Sequence, residues 1–224
     1  MSKIAFLNRF YNGEFNYLCI NFYKRNKKFL LLSAAIYFLA LFIGLIIGYF
    51  IPGLIENFLN SVVKSDKQFV IKNGINTFSI FLHNLTYGVF FPYTAGVTGI
   101  ITAGILILNG FLYGSFLGFL SSNIGGILSP LGVSNPVAFL IYTIPHGIFE
   151  TSGIIVAGAG GFKLTNLVIN ILIDKKTKNE WYNEFKDSLI LVVIAIILIL
   201  IAAIIEANIT LPLGNYITHL SLAK

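Results

Sequence analysis

The stretch from Tyr142 to Gly161, YTIPHGIFETSGIIVAGAGG, sets His146 and Glu150 four residues apart inside an otherwise apolar run. On a helix that spacing puts both side chains on one face. An imidazole beside a carboxylate in a membrane suits three tasks: relaying a proton or cation, linking helices, or supplying ligands to a metal. The third is the least equipped. Zinc takes four donors, and no His-Glu-x-x-His helix is present. Neither a Gly-x-Ser-x-Gly elbow nor a Walker-type phosphate loop occurs, so no catalytic residue, metal or cofactor is expected. Residues 73–162 contain no Asp, Lys or Arg and a single Glu, Glu150. A carboxylate at the centre of a bilayer costs at least about 2.5–3.5 kcal/mol, so Glu150 must face protein or trapped water. Hydrophilic partners exist at similar depth: His83 and Asn84 on one neighbouring segment, Asn109 on another. The sequence therefore predicts a midplane polar cluster of His83, Asn84, Asn109, His146 and Glu150. Pro145 adds a local weakness, since it lacks a backbone donor and frees the carbonyl of Ile141. A second acid, Glu206, closes the last apolar run and is expected near the outer interface, where solvent explains it.

The elements that must hold this cluster are membrane spans. The 224 residues are 56% hydrophobic and 11% charged, against about 25% charged in an average soluble domain. The expected fold is all-α, a polytopic transmembrane bundle of about five spans with the N-terminus inside and the C-terminus outside. The spans are placed at about 29–50, 69–91, 96–117, 136–162 and 188–206. A basic and aromatic interfacial segment (1–28) precedes this membrane domain (29–206), and an extracytoplasmic tail (207–224) follows it. The first run is too long for a signal-peptide core of about 7–15 residues and has no small-residue cleavage site after it. The basic clusters at 1–28 and 163–187 fall on one side of a five-span arrangement, which agrees with the positive-inside bias. The net charge of +6 thus points to anionic lipid rather than nucleic acid. The single cysteine excludes an internal disulfide. Pro92 is expected to end the second span or begin a turn, and the uncharged 118–135 segment to be interfacial or re-entrant.

Three spans carry small residues at four-residue spacing: Ala40, Gly44 and Gly48; Gly110, Gly114 and Gly118; Gly153, Ala157 and Gly161. Such faces let a neighbouring backbone come close. They are expected to pack helices together and to support self-association into a homo-oligomer.

Taken in order, Asn109–Gly110 with Gly114, PHGIFE at Pro145–Glu150, AGAGG at Ala157–Gly161 and IEANITLP at Ile205–Pro212 resemble the stage II sporulation protein M family, over roughly residues 25–212. A paired asparagine usual in that family's second span stands here as His83–Asn84. The resemblance implies a polytopic protein of the cell membrane, commonly with five spans. It also implies a non-enzymatic scaffold or membrane-organising subunit working with other membrane or envelope proteins. The bacterial namesake acts in engulfment, where membrane movement is coupled to peptidoglycan remodelling. Relatives occur in organisms that form no spores, so sporulation is not the general activity. The alternative from the residues themselves is a channel or transporter for protons, ions or a small solute, with its path through the polar cluster.

Overall fold

The computed structural model describes residues 14–74, 76–122, 136–173, 177–210 and 212. Among them there is no strand. Four helices are long and apolar enough to cross a bilayer, over Asn21–Phe50, Ile100–Ser121, Phe139–Leu172 and Glu180–Thr210. They belong to α1 (Glu14–Phe50), α5 (Ile100–Ser121), α6 (Pro136–Leu172) and α7 (Lys178–Ile205), the last continued by a π-helical turn at Glu206–Thr210. Between α1 and α5 lie α2 (Pro52–Asn73), α3 (Thr77–Asn84), a π-helical turn (Leu85–Phe90), α4 (Phe91–Thr94) and a 3-10 turn (Ala95–Val97).

The breaks have local causes. Pro52 ends α1 and starts α2, because the residue before a proline is pushed out of the helical region while proline suits a first turn. Gly74 ends α2 with φ of 72°, a left-handed conformation that glycine adopts without a Cβ penalty. Asn76 then caps α3: its side chain accepts from the Ser79 amide at 2.9 Å, and the Ser79 hydroxyl accepts from the Asn76 amide at 3.3 Å.

The expected second span at 69–91 is displaced by this break. Phe69 ends up on α2, and the helical path runs from Thr77 through a buried Pro92 to Val97. Twenty-one residues at about 1.5 Å each reach about 31 Å, the thickness of a hydrocarbon core. This composite segment returns the chain from the end of α1 to the start of α5, since those two helices run parallel. The parallel course is seen in the contacts of Gly110, Gly114 and Gly118 with Tyr37, Leu41 and Leu45 respectively. Two expected boundaries also move. The fourth span continues as helix to Leu172, and the fifth begins at Lys178, capped by Thr177 with its amide donating to the Glu180 carboxylate at 2.8 Å. Residues 14–28 continue unbroken into the first crossing. The first 13 residues, most of the 118–135 segment and nearly all of the tail beyond Thr210 lie outside the described residues.

The seam between α1 and α5 is made of glycine. A Cβ added at Gly114 would strike the carbonyl of Leu41, and one at Gly44 the carbonyl of Phe111. Gly48, Gly110 and Gly118 meet backbone in the same way. The third small-residue face is also filled from within: Gly153 packs on Ile199, Ala157 is fully buried, and Gly161 lies against Pro92 and Gly96. These faces are therefore consumed inside one chain and are closed to a second copy. α2 lies across the end of the bundle away from the basic residues, burying Ile55, Leu59 and Val63 against Phe116, Phe119, Leu120 and Phe139.

Candidate functional site, a polar cavity under α2

Tyr113 and Asn109 are four residues apart on α5, so they share the face opposite His146 and Glu150 on α6. The Tyr113 hydroxyl donates to Glu150 Oε2 at 3.0 Å. His146 is buried. Its Nε2 stands between two carboxylates, 3.8 Å from Glu150 Oε2 and 3.9 Å from Glu206 Oε2. Its Nδ1 is 3.3 Å from the Thr210 hydroxyl. The π-helical turn at the end of α7 carries both Glu206 and Thr210, and so delivers two groups to one imidazole.

These side chains face a cavity of about 350 Å³. All five residues of the expected cluster line it: His83, Asn84, Asn109, His146 and Glu150. Glu206, its side chain 24% exposed, lines it too, so solvent is not its whole surroundings: it is also part of the same wall. Val62 and Phe69 of α2 and Gly74 line the cavity at the end away from the basic cluster. The His83 ring is packed between Phe69 and Tyr87, with centroids 4.5 and 4.8 Å away. Asn109 donates to the carbonyl of Ile105 at 2.9 Å, which leaves its amide oxygen available to the cavity. Pro145 sits within α6 beside His146.

Both π-helical turns border this space: Leu85–Phe90 supplies Tyr87 and Gly88, and Glu206–Thr210 supplies Glu206. Such single wide turns insert a residue into a helix and occur frequently at functional sites. The walls hold two carboxylates, two imidazoles and two amides, with no Lys or Arg among the lining residues. That environment favours a cation, a proton or a neutral polar solute over an anion. Among the described residues, no group of three or more His, Cys, Asp or Glu side chains is arranged to hold a metal ion. On its apolar side the lining includes Ile154, whose buried cluster with Val89, Leu106 and Ile199 forms an apolar floor.

Beyond that apolar floor lies a second polar group that sequence reasoning missed. Lys163, only 2% exposed, donates from Nζ to Asn26 Oδ1 at 2.6 Å and to Asp187 Oδ2 at 3.2 Å. Arg25 holds Asp187 from the other side in a two-point grip, Nε to Oδ2 at 2.8 Å and Nη2 to Oδ1 at 2.9 Å. The cluster ties α1, α6 and α7 together. Its residues read as solvated charges in the sequence, because no periodic signal marks Lys163 as buried. Tyr113 was missed for a related reason, since a lone tyrosine in a span looks like one more apolar side chain. Its offset of four from Asn109 was the available signal.

The family model for Stage II sporulation protein M matches residues 33–211. The chain belongs to the Stage II sporulation protein M family. It is similar to Uncharacterized protein MJ0793 of Methanocaldococcus jannaschii, 34% identical over 172 residues, covering 75% of this chain and 90% of the relative. It also matches Uncharacterized protein MJ0706 of the same organism, 35% identical over 80 residues, which is 35% of this chain and 37% of that protein. No solved structure matches. Family membership and four apolar helices of spanning length make this a membrane protein.

Proposed function

We propose that this chain is a membrane subunit that admits protons or a small cation into the cavity beside Glu150, as a channel or transporter would. The observation that carries this reading is the cavity itself. A purely structural polar contact needs no empty space, yet here eight polar side chains from four segments line about 350 Å³. Intramembrane acids and imidazoles facing such a space are natural stations for a proton or cation. His146, set between Glu150 and Glu206, is placed to exchange a proton with either. For anything to pass toward the basic end, the buried apolar cluster of Val89, Ile154 and Ile199 would have to open. Passage would require the composite segment to shift, and its π-helical turn is the weak point at which that segment can rewind.

A second reading, a non-enzymatic scaffold or organising subunit in the cell membrane, is favoured by the cross-links. Glu150 joins α6 to α5 through Tyr113, and His146 joins α6 to the end of α7 through Thr210. In that case the same residues serve as fixed ties, and the partners would be a second copy or other membrane or envelope proteins.

One experiment separates the two. The purified chain is placed in liposomes holding a pH-sensitive dye, and proton flux is followed after a potassium-diffusion potential is imposed. The expected result is flux above protein-free liposomes, lost in Glu150→Gln while that variant melts like the parent chain. Wild-type liposomes no leakier than empty ones, together with a lowered melting temperature in Glu150→Gln, would overturn the transport reading in favour of the tie.

A further inference from the structure

A groove of about 650 Å³ runs down the bundle surface between α1 and α7, at the basic end and apart from the cavity. Its lining changes character along its length. Phe22 and Arg25 of α1 and Asn183, Lys186 and Asp187 of α7 form the upper part, and Ile190 and Ile194 form the lower part. On α7 these positions are spaced by three or four residues, so they make one stripe that is polar for its first turn and apolar below. Trp181 and Tyr182 immediately precede Asn183, and such aromatics gather at the headgroup level of a bilayer. The polar part of the groove therefore lies at headgroup depth and the isoleucines lie at acyl depth.

The charge at the top is positive. Asp187 is matched by both Arg25 and Lys163, and Glu184 is close enough to Lys163 to act on it. Against Asp187, Glu184 and Glu180 at this end stand Arg25, Lys163 and Lys186, with Lys24, Lys27 and Lys28 exposed on α1. The guanidinium of Arg25 spends two of its donors on Asp187. Of the five N–H groups an arginine carries, three remain, and its side chain is 55% exposed.

We propose that this groove is a binding site for one anionic phospholipid. The phosphate would sit against Arg25, Lys186 and the Asn183 amide, with an acyl chain along Ile190 and Ile194. An occupant must change from charged to apolar within the length of the groove. A soluble anion would leave the isoleucines uncovered, a lipid without phosphate would leave the cations unmatched, and the choline of a zwitterionic lipid would bring a further cation beside Arg25 and Lys186. A lipid standing here bridges α1 and α7 beside the Arg25–Asp187–Lys163 cluster, and so reinforces the basic end of the bundle.

The test uses the full chain in detergent, with native mass spectrometry and thermal melting. Phosphatidylglycerol, phosphatidylcholine with the same acyl chains, and inorganic phosphate are added separately. Phosphatidylglycerol should be retained and should raise the melting temperature; the other two should do neither. Lys186→Glu should lower phosphatidylglycerol retention at least about fivefold, since each basic contact with an anionic headgroup is worth roughly 1 kcal/mol. Ile190→Trp, which fills the apolar part, should do the same without altering the melting temperature in lipid-free detergent. Equal retention of the two lipids, equal protection by inorganic phosphate, or parental retention in both variants would overturn the proposal.

Discussion

The α1–α5 seam and the cavity beneath α2 hold the same bundle together by opposite means. Along the seam two regular helices run parallel, and five glycines bring backbone against backbone with no room for a solute. Around the cavity the helices are interrupted by π-helical turns and a proline, and the neighbours are joined by hydroxyl, imidazole and carboxylate groups around open space. Apolar burial drives little association in lipid, since acyl chains are as apolar as leucine; close packing and polar contacts must do the work. Close packing needs uniform winding, because the glycines must return to the same face every four residues. Polar ties tolerate irregular winding, because a side chain can reach. The rigid half of the molecule is thus built from missing side chains, and the adaptable half from polar ones.

The largest effect should come from the seam. Gly114→Leu places atoms where the Leu41 carbonyl stands, and a backbone cannot swing aside as a side chain can. Overpacking typically costs about 1–3 kcal/mol, and backbone collision puts this case at or above the upper end. The expected outcome is loss of monodisperse protein in size-exclusion chromatography. Gly104→Ala on the same helix is the control. An added Cβ there meets nothing within 4 Å, so stability should hold or rise by up to about 1 kcal/mol. Equal damage at the two positions would mean that α5 tolerates no side chain anywhere and that the seam is not special.

Next in size is the charge cluster. Asp187→Asn leaves the Lys163 ammonium buried without its ion-pair partner, with Asn26 and the nearby Glu184 still acting on it. Breaking one side of a buried pair costs about 3–5 kcal/mol where no water reaches the orphaned charge; Arg25 is free to turn outward, so only Lys163 counts. Unfolding in a detergent titration should move accordingly. A change under about 1 kcal/mol would show Lys163 to be hydrated.

The smallest effect on stability is expected at the cavity. Tyr113→Phe removes the hydroxyl that binds Glu150, and interhelical polar contacts average about 0.6 kcal/mol. The melting temperature should barely move while the dye-monitored flux changes. If Tyr113→Phe destabilised the protein more than Gly114→Leu, the division into a rigid seam and an adaptable cavity would be reversed.

Legibility in the sequence followed the same division. The five polar residues of the cluster could be picked out because a hydrophilic group deep in an apolar run is costly, and cost depends on depth alone. All five line one cavity. Glu206 was misjudged because it lies at the end of its run, where depth no longer discriminates; the π-helical turn that aims it at His146 has no sequence signature. The second span was misplaced because 69–91 has a spanning length despite its polar first half, whereas the break depends on the backbone of Gly74 and the cap at Asn76. The glycine faces were visible as a spacing, but their partners were not. A small face shows only that something comes near, and here that something is another part of the same chain.

Composition and apolar run lengths alone determined that the chain is a helical membrane bundle, and the isolation of Glu150 determined that a polar site lies within it. Both follow from solvation, which each residue meets locally and which can be read one position at a time. Only the tertiary structure decided that α1 and α5 close on each other, that Tyr113, Glu206 and Thr210 join the site, and that Lys163 is buried against Asp187. Those outcomes depend on which distant surfaces fit, and fit is a property of pairs of helices that no single stretch of sequence contains.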